Sequence, residues 1–209
     1  MSDLELQYSY LRRSVGVLDV SSRSRVCVTG ADRQRFINGQ VTNNVKDLKP
    51  GQGCYAALVT AKGKMQSDLF IYCLPDELLL DFEPGLAAAV TERLERYVIA
   101  DDVQVVDVGS VYKMLSVQGP RSADVLRAVA IEPPSGALDS KRSESTAAEI
   151  YCMNNARGTA MGFDVFVPTE QTDRLRERLA EAAVKVDHPQ PSFAADEIAR
   201  PVSAVLFQR

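Results

Sequence analysis

Apolar positions recur along the chain with two periods, and the change between them marks out the elements. Leu4, Tyr8 and Leu11 stand at helical spacing and predict a short helix over residues 4–13. Residues 15–20 form a short apolar run that suits a strand or a buried turn. Residues 25–29 alternate as a strand and stop at Gly30, and residues 31–38 then carry Phe36 and Ile37 inward on a helix. Asn43-Asn44 and Pro50-Gly51 mark a loop. Residues 54–60 predict a strand and Lys62-Gly63 a turn. Residues 65–74 and 77–82 predict a hairpin, with Pro75 where a type I turn prefers it. Leu86, Val90, Leu94 and Tyr97 share one helical face that opens after Pro84. Residues 103–106 and 112–117 predict two strands, and Gly119-Pro120 opens a helix through Leu126 and Val129. Residues 149–153 and 163–167 predict a hairpin over Asn154-Asn155. Thr169 is expected to cap a helix that buries Leu175 and Leu179. A last helix starts over residues 193–200 and is interrupted by Pro201.

Strands joined by hairpins and single helical crossovers predict an α+β fold with mostly antiparallel sheets and packed helices. The chain also echoes itself. Strand, glycine and helix follow one another at Val26 to Ile37 and again at Leu115 to Leu126, with the buried helical pair at the same offset. Two pseudo-repeated subdomains explain this echo. In chain order the expected division is residues 1–131, a Pro/Ser/charge-rich loop or linker at 132–146, a second α+β part at 147–200, and a tail at 201–209.

Composition narrows the classes. With 209 residues, 45% apolar and 25% charged, the chain has the make-up of a soluble globular protein able to bury a core without disulfides. No run approaches the ~20 apolar residues that span a bilayer, and no signal peptide is visible, so a cytoplasmic address is the default expectation. A net charge of −4 argues against direct nucleic-acid binding. Its distribution is uneven: over residues 21–64 eight Lys or Arg face two Asp, whereas over 65–100 seven acids face two Arg. A polarised surface can guide an anionic ligand, and ordinary solvated faces explain the same clustering.

Cys27, Cys54, Cys73 and Cys152 form no Cys-x-x-Cys pair and are expected to act as small buried hydrophobes. His188 is the lone histidine, which leaves no histidine metal cluster and no nucleophile-elbow triad. No metal is expected. A P-loop and a dinucleotide glycine fingerprint are both missing. Asp101-Asp102 would face opposite sides of a strand and make poor acid/base partners. Asp68, after Ser67 in an otherwise apolar strand, is either edge-exposed or part of a site.

These residues carry a family resemblance. Gly16-x-x-Asp19-Val20-Ser21, Thr29-Gly30, Phe36-Ile37, Val41-Thr42-Asn43-Asn44-Val45, Leu48-x-x-Gly51-x-x-x-Tyr55 and Gly63-Lys64-Met65-x-Ser67-Asp68-Leu69 come in order. Tyr97 to Val103, Val117-Gln118-Gly119-Pro120 and, more weakly, Glu197-Ile198-Ala199-Arg200 follow. The set resembles the folate-binding region of the glycine-cleavage T-protein (aminomethyltransferase) superfamily.

The resemblance implies the α+β folate-binding fold of that superfamily, without its C-terminal β-barrel, and tetrahydrofolate as cofactor. Two branches fit. One is the YgfZ-like branch, folate-binding proteins linked to iron–sulfur enzyme maintenance and tRNA modification, which Gly63-Lys64-Met65-x-Ser67 and the Tyr97–Val103 segment favour. The other is the aminomethyltransferase of the glycine cleavage system, which moves a one-carbon unit from a lipoyl carrier to tetrahydrofolate and releases ammonia. Partners on the two readings are an iron–sulfur enzyme or a lipoyl carrier, and a truncated, non-catalytic interaction module is the third expectation. Asp68 matches the family's catalytic carboxylate, and Tyr72 a position lining the folate cavity. Asn43, Tyr151 and Arg200 match further binding positions. The family's pterin-anchoring acid would fall near Arg157 to Gly162, where this chain has none.

Overall fold

The computed structural model describes residues 8, 11–144, 149–158 and 160–187. The expected helix over 4–13 lies largely outside them. His188, the helix expected at 193–200 with Arg200, and the tail at 201–209 lie wholly outside them.

Among the described residues the elements follow in chain order: β1 (Gly16–Asp19), β2 (Ser24–Thr29), α1 (Arg33–Asn38), β3 (Gly53–Val59), β4 (Met65–Cys73), β5 (Leu78–Phe82), α2 (Ala87–Glu95), β6 (Gln104–Asp107), β7 (Tyr112–Gln118), α3 (Ser122–Ala128), β8 (Ser140–Arg142), β9 (Tyr151–Asn154), β10 (Gly162–Pro168) and α4 (Thr172–Asp187). They make two five-stranded sheets, ordered β3-β4-β5-β2-β6 and β1-β7-β10-β9-β8. The pairings β3–β4, β4–β5, β2–β5, β2–β6, β1–β7 and β9–β10 are all antiparallel. The expected α+β class with mostly antiparallel sheets is what the chain adopts.

The pseudo-repeat is visible in the topology. In the first sheet β2 leads through Gly30 into α1, β3, β4, β5, α2 and β6. In the second, β7 leads through Gly119 into α3, β8, β9, β10 and α4. The edge place beside β2 is filled by β6, which follows α2; the matching place beside β7 is filled by β1, from the start of the chain. The two glycines have φ of +100° and +119°. A Cβ at Gly30 would stand 2.0 Å from the Asp102 carbonyl oxygen, and one at Gly119 would stand 2.5 Å from that of Ser14. Only glycine combines that φ with that approach.

The contacts accordingly divide the described chain into two interleaved units. One comprises residues 21–112 and 134–141; the other takes residues up to 20, 113–133 and those from 142 onward. Each has its own core on one face of its sheet, as two-layer packing requires. In the first unit Val26, Val28, Leu69, Ile71, Leu78 and Leu80 meet Phe36 and Ile37 of α1 and Val90 and Leu94 of α2. In the second, Leu115, Val117, Cys152, Phe163 and Val165 meet Val125 and Leu126 of α3 and Leu175 and Leu179 of α4.

Three local expectations are corrected. The stretch expected as loop or linker at 132–146 contains β8, because backbone pairing can recruit Ser140–Arg142 to a sheet edge despite their polarity. Thr169 opens a 3-10 turn (Thr169–Gln171), and α4 begins only at Thr172. Tyr97 lies past the end of α2 and is exposed, with the Arg93 guanidinium 4.0 Å above its ring. The cysteines behave as expected: all four are free, with Cys27, Cys73 and Cys152 buried and Cys54 half-buried.

Candidate functional site

The face of the first sheet turned away from its helices is where polar chemistry collects. On β4, Leu69, Ile71 and Cys73 point into the core, so strand alternation sends Asp68, Phe70 and Tyr72 to the other side. The β3–β4 register sets Tyr55 opposite Phe70 and Ala57 opposite Asp68. Tyr55 is therefore a diagonal neighbour of Asp68, within reach of a long side chain. Its hydroxyl donates to Asp68 Oδ2 at 2.5 Å. The Tyr55 and Phe70 rings stand 5.2 Å apart at 53°, and Arg23 lies 5.9 Å over Phe70.

Asp68 is half-buried, and its carboxyl is held below the usual carboxylate range. The hydrogen bond with the Glu83 carboxyl is the largest cause; the Tyr55 hydroxyl and the charge of Arg23 add to it, against burial. Tyr55 is pushed the other way, first by its bond to Asp68, so the phenol stays protonated and donating. Ser67, beside Asp68 and buried, donates to Glu83 Oε2 at 2.8 Å. Arg23 Nε donates to both oxygens of the fully buried Asp81 at 2.9 and 3.0 Å.

The other residues named from the sequence are placed differently. Tyr72 shares the Asp68 face but is 1% exposed. Its ring packs over Gly53, where a Cβ would lie 2.8 Å from the ring and 2.5 Å from the Leu138 carbonyl oxygen. Asn43 is exposed beside β3, and its side-chain amide donates to the Tyr55 carbonyl at 2.9 Å. It clamps the strand that carries Tyr55 rather than pointing a free amide at Asp68. Tyr151 belongs to the second unit, half-buried on β9 opposite Phe166.

Tyr55, though part of a matched motif, was not among the candidate site residues read from the sequence, and neither were Glu83 and Arg23. Tyr55 was not recoverable from the turn at Lys62-Gly63 alone, because the β3–β4 register shifts between Leu58 and Val59, and such a one-residue slip changes which side chains share a face. Glu83 and Arg23 depend on the order of β4, β5 and β2, which the sequence does not state.

The second sheet has its own polar cluster on its non-core face. Asp164, fully buried, accepts from Ser116 Oγ at 2.7 Å, from Asn155 Nδ2 at 2.9 Å, and from Arg157 Nε at 2.9 and 3.0 Å. Gln118 Nε2 donates to Ser116 Oγ at 2.8 Å, and its Oε1 accepts from the Arg157 amide at 2.9 Å. Gly162 makes room for that amide, since a Cβ there would stand 2.0 Å from Gln118 Oε1. The segment expected to lack an anchoring acid thus carries an arginine, and its guanidinium is tied inward. Among the described residues no group of His, Cys, Asp and Glu could hold a metal ion, and no helix is long and apolar enough to cross a membrane.

Comparison with known proteins places this geometry. A family model described as the GCVT N-terminal domain matches residues 4–200. An aminomethyltransferase of Mycobacterium avium (strain 104) is 36% identical over 121 residues, 57% of this chain and 33% of that protein. One of Mycobacterium leprae (strain Br4923) is 28% identical over 182 residues, 85% of this chain and 48% of that protein. The chain thus spans half or less of the length of these curated relatives. The crystal structure of the glycine cleavage system aminomethyltransferase T from Bartonella henselae superposes with a TM-score of 0.73 at 20% identity, covering 83% of this chain and 47% of that one. A chain of the heterotetrameric sarcosine oxidase from Corynebacterium sp. U-96 superposes with a TM-score of 0.62 at 16% identity, covering 91% of this chain and 96% of that one.

Proposed function

The chain belongs to the GCVT N-terminal domain family, and on that premise we propose that it binds a reduced folate on the Asp68 face and serves one-carbon chemistry of the aminomethyltransferase type. The observation that carries the reading is Asp68 itself. It is a partly exposed carboxylate, kept ionised by Tyr55, Glu83 and Arg23, on a sheet face that the core does not use. Such a group can accept a hydrogen bond from a ligand amine, orient it and take its proton as the nitrogen forms a bond to carbon. Tyr55 and Phe70 add aromatic surface that suits a flat heterocycle. Tyr72 supports this face from below, because its ring is covered. The named relatives are aminomethyltransferases, which favours one-carbon transfer from a lipoyl carrier over the iron–sulfur maintenance expected from the YgfZ-like motifs.

The test is calorimetric titration of tetrahydrofolate into the full chain and into Asp68→Asn. Binding that weakens in the variant while its melting temperature holds supports the reading. Absence of binding at about millimolar folate, a binding free energy near −4 kcal/mol, removes it.

A second reading is favoured by one observation: the fold spans 96% of one chain in a heterotetrameric sarcosine oxidase. On that reading the chain is a subunit that works only within an assembly of unlike chains. The isolated chain would then bind no folate, whereas a complex copurified with an unlike partner chain would.

A further inference from the structure

Resting on the folate reading for the identity of the ligand alone, we infer that Arg23 sets the specificity of the Asp68 face: its two terminal amino groups receive a ring carbonyl of the ligand, while Asp68 receives the neighbouring ring N–H. The placement of Arg23 carries this. Its Nε donates to both oxygens of Asp81 at 2.9 and 3.0 Å. Asp81 is fully buried and stands opposite Phe70 in the β4–β5 ladder. The guanidinium carbon lies 5.9 Å from the centroid of the Phe70 ring. Phe70 follows Asp68 by two residues on β4, and both side chains are on the face away from the core. Asp68 and Phe70 thus stand in one row along β4, with Arg23 over the Phe70 end and the Tyr55 ring 5.2 Å from that of Phe70.

A guanidinium has five N–H donors in a rigid planar fork, one of them on Nε and the rest on the two terminal nitrogens. Among the described residues no acceptor takes the terminal donors of Arg23, and they reach solvent on a side chain that is 18% exposed. The second unit shows the alternative. There Arg157 gives Asp164 both its Nε and a terminal nitrogen, the latter at 2.7 Å. Arg23 is instead held by one end, with the other end open. Asp81 is the one carboxylate within ion-pair distance of it among the described residues, so Asp68 and Arg23 share a face without closing on each other.

The charges decide which acceptor suits the open end. Asp81 already balances Arg23, and Asp68 stands on the same face, so an incoming carboxylate would meet like charge. A neutral carbonyl oxygen does not. Asp68 accepts from Tyr55 through Oδ2 and, half-buried, still reaches solvent, so it calls for a donor. The aromatic rings of Phe70 and Tyr55 call for a flat body between the two. A reduced pterin carries this set on one edge: the ring N–H of its reduced half and the carbonyl of its other half are neighbours. Arg23 then fixes which way round the ring lies, and so which nitrogen Asp68 meets.

The test compares two ligands on the full chain by calorimetry: tetrahydrofolate, and the analogue in which an amino group replaces that ring carbonyl. The unaltered protein should prefer tetrahydrofolate by about 10- to 100-fold, because the analogue sets a donor against the Arg23 donors. Arg23→Lys keeps a cation for Asp81 but has one nitrogen to give and no fork to turn forward. It should lose most of the preference by weakening tetrahydrofolate, with the affinity of the analogue held within about threefold, less than one charge-assisted hydrogen bond. A melting temperature near that of the parent shows that the variant is folded. Equal affinity of the unaltered protein for the two ligands overturns the inference without any variant, and so does a preference that Arg23→Lys retains; both leave folate binding standing. A reduced pterin without the aminobenzoyl-glutamate tail, and its amino analogue, separate the two readings. If that pair shows the preference while tetrahydrofolate does not bind, the role of Arg23 is upheld and the folate reading falls. If no reduced pterin binds, both fall.

Discussion

Each unit places a carboxylate on the sheet face opposite its helices, and the two are finished in different ways. Asp164 is fully buried and encircled by Ser116, Asn155 and the forked guanidinium of Arg157. Asp68 is half-buried, accepts from the Tyr55 hydroxyl, and still reaches solvent. A carboxylate whose acceptor sites are all taken by the protein can only hold the fold. One left partly open can meet a ligand. The repeat of strand, glycine and helix thus gives two equivalent sheet faces. Local side chains decide that one becomes a structural lock and the other a candidate site.

The largest effect should come from breaking the lock. Asp164→Ala leaves the half-buried Arg157 guanidinium without its carboxylate and should cost about 3–5 kcal/mol of stability. Asp68→Ala, at the open face, should cost less than about 1 kcal/mol. Urea denaturation of both variants checks this, and equal losses would erase the distinction between the two carboxylates.

The paired glycines sharpen the comparison from the side of the repeat. Gly30→Ala and Gly119→Ala each add a Cβ against a carbonyl oxygen at positive φ, and each should cost roughly 2–4 kcal/mol of strain and overpacking. Gly63 also has positive φ, +73°, but nothing lies within 4 Å of its missing Cβ. Gly63→Ala should therefore cost only the conformational share, ~1–2 kcal/mol. Similar melting temperatures for all three variants would show that the close approach contributes nothing.

Asp68→Asn probes function rather than fold. Loss of a charge-assisted hydrogen bond to a ligand amine is worth ~1.5–3 kcal/mol, about 10- to 150-fold in affinity. Its stability should move little. A large fall in melting temperature with unchanged folate affinity would make Asp68 as structural as Asp164.

A pH series separates the same two roles more gently. Asp68 ionises below its unfolded value, so whatever stability it adds is present above that value, near pH 4, and is lost as pH falls through the folded one. Folate binding should weaken over that same acid range, because the carboxylate that accepts the amine is being protonated. Wild type and Asp68→Asn should diverge near neutral pH and converge in acid. Parallel curves would mean that Asp68 does not set the binding charge.

Much of this was legible in the sequence because it rests on local pattern. Alternation revealed β2, β4 and β7, and the matching offsets of Phe36-Ile37 and Val125-Leu126 revealed the repeat. Asp68 stood out because a carboxylate in an apolar strand needs an explanation. What escaped depends on pairing across distant segments. Tyr55 meets Asp68 only through the bulged β3–β4 register, and Arg157 finds Asp164 only because β9 and β10 pair. Tyr72 was legible as to its face but not its burial, since its ring packs against Gly53, a backbone approach with no sequence period to reveal it. β8 escaped for a related reason: a three-residue polar segment has no period to detect.

The smallest expected effect concerns the basic stretch at 21–64, which on charge alone could receive an anionic folate tail. In the folded chain half of that charge is already engaged. Arg23 is bonded to Asp81, Arg25 is fully buried, Arg33 donates to the Gly30 and Pro75 carbonyls, and Arg35 pairs with Asp32 and Asp101. Lys46, Lys49, Lys62 and Lys64 remain exposed. Lys46 and Lys49 precede the start of β3 and Lys62 and Lys64 follow its end, so the seven-residue strand, ~20 Å long at its usual rise, separates the two pairs. That distance exceeds the ~8 Å Debye length at physiological salt, so each pair acts alone. Titration with short- and long-tailed tetrahydrofolate should therefore show less than about a threefold difference in affinity at moderate salt, about 0.7 kcal/mol, within the range of a surface charge pair. The difference should grow at low salt, and Lys46→Glu with Lys49→Glu should change it without altering the affinity of the short-tailed form. A tenfold or larger preference that survives moderate salt would mean that a concentrated cationic surface exists, and that the open face extends well beyond the Asp68 row.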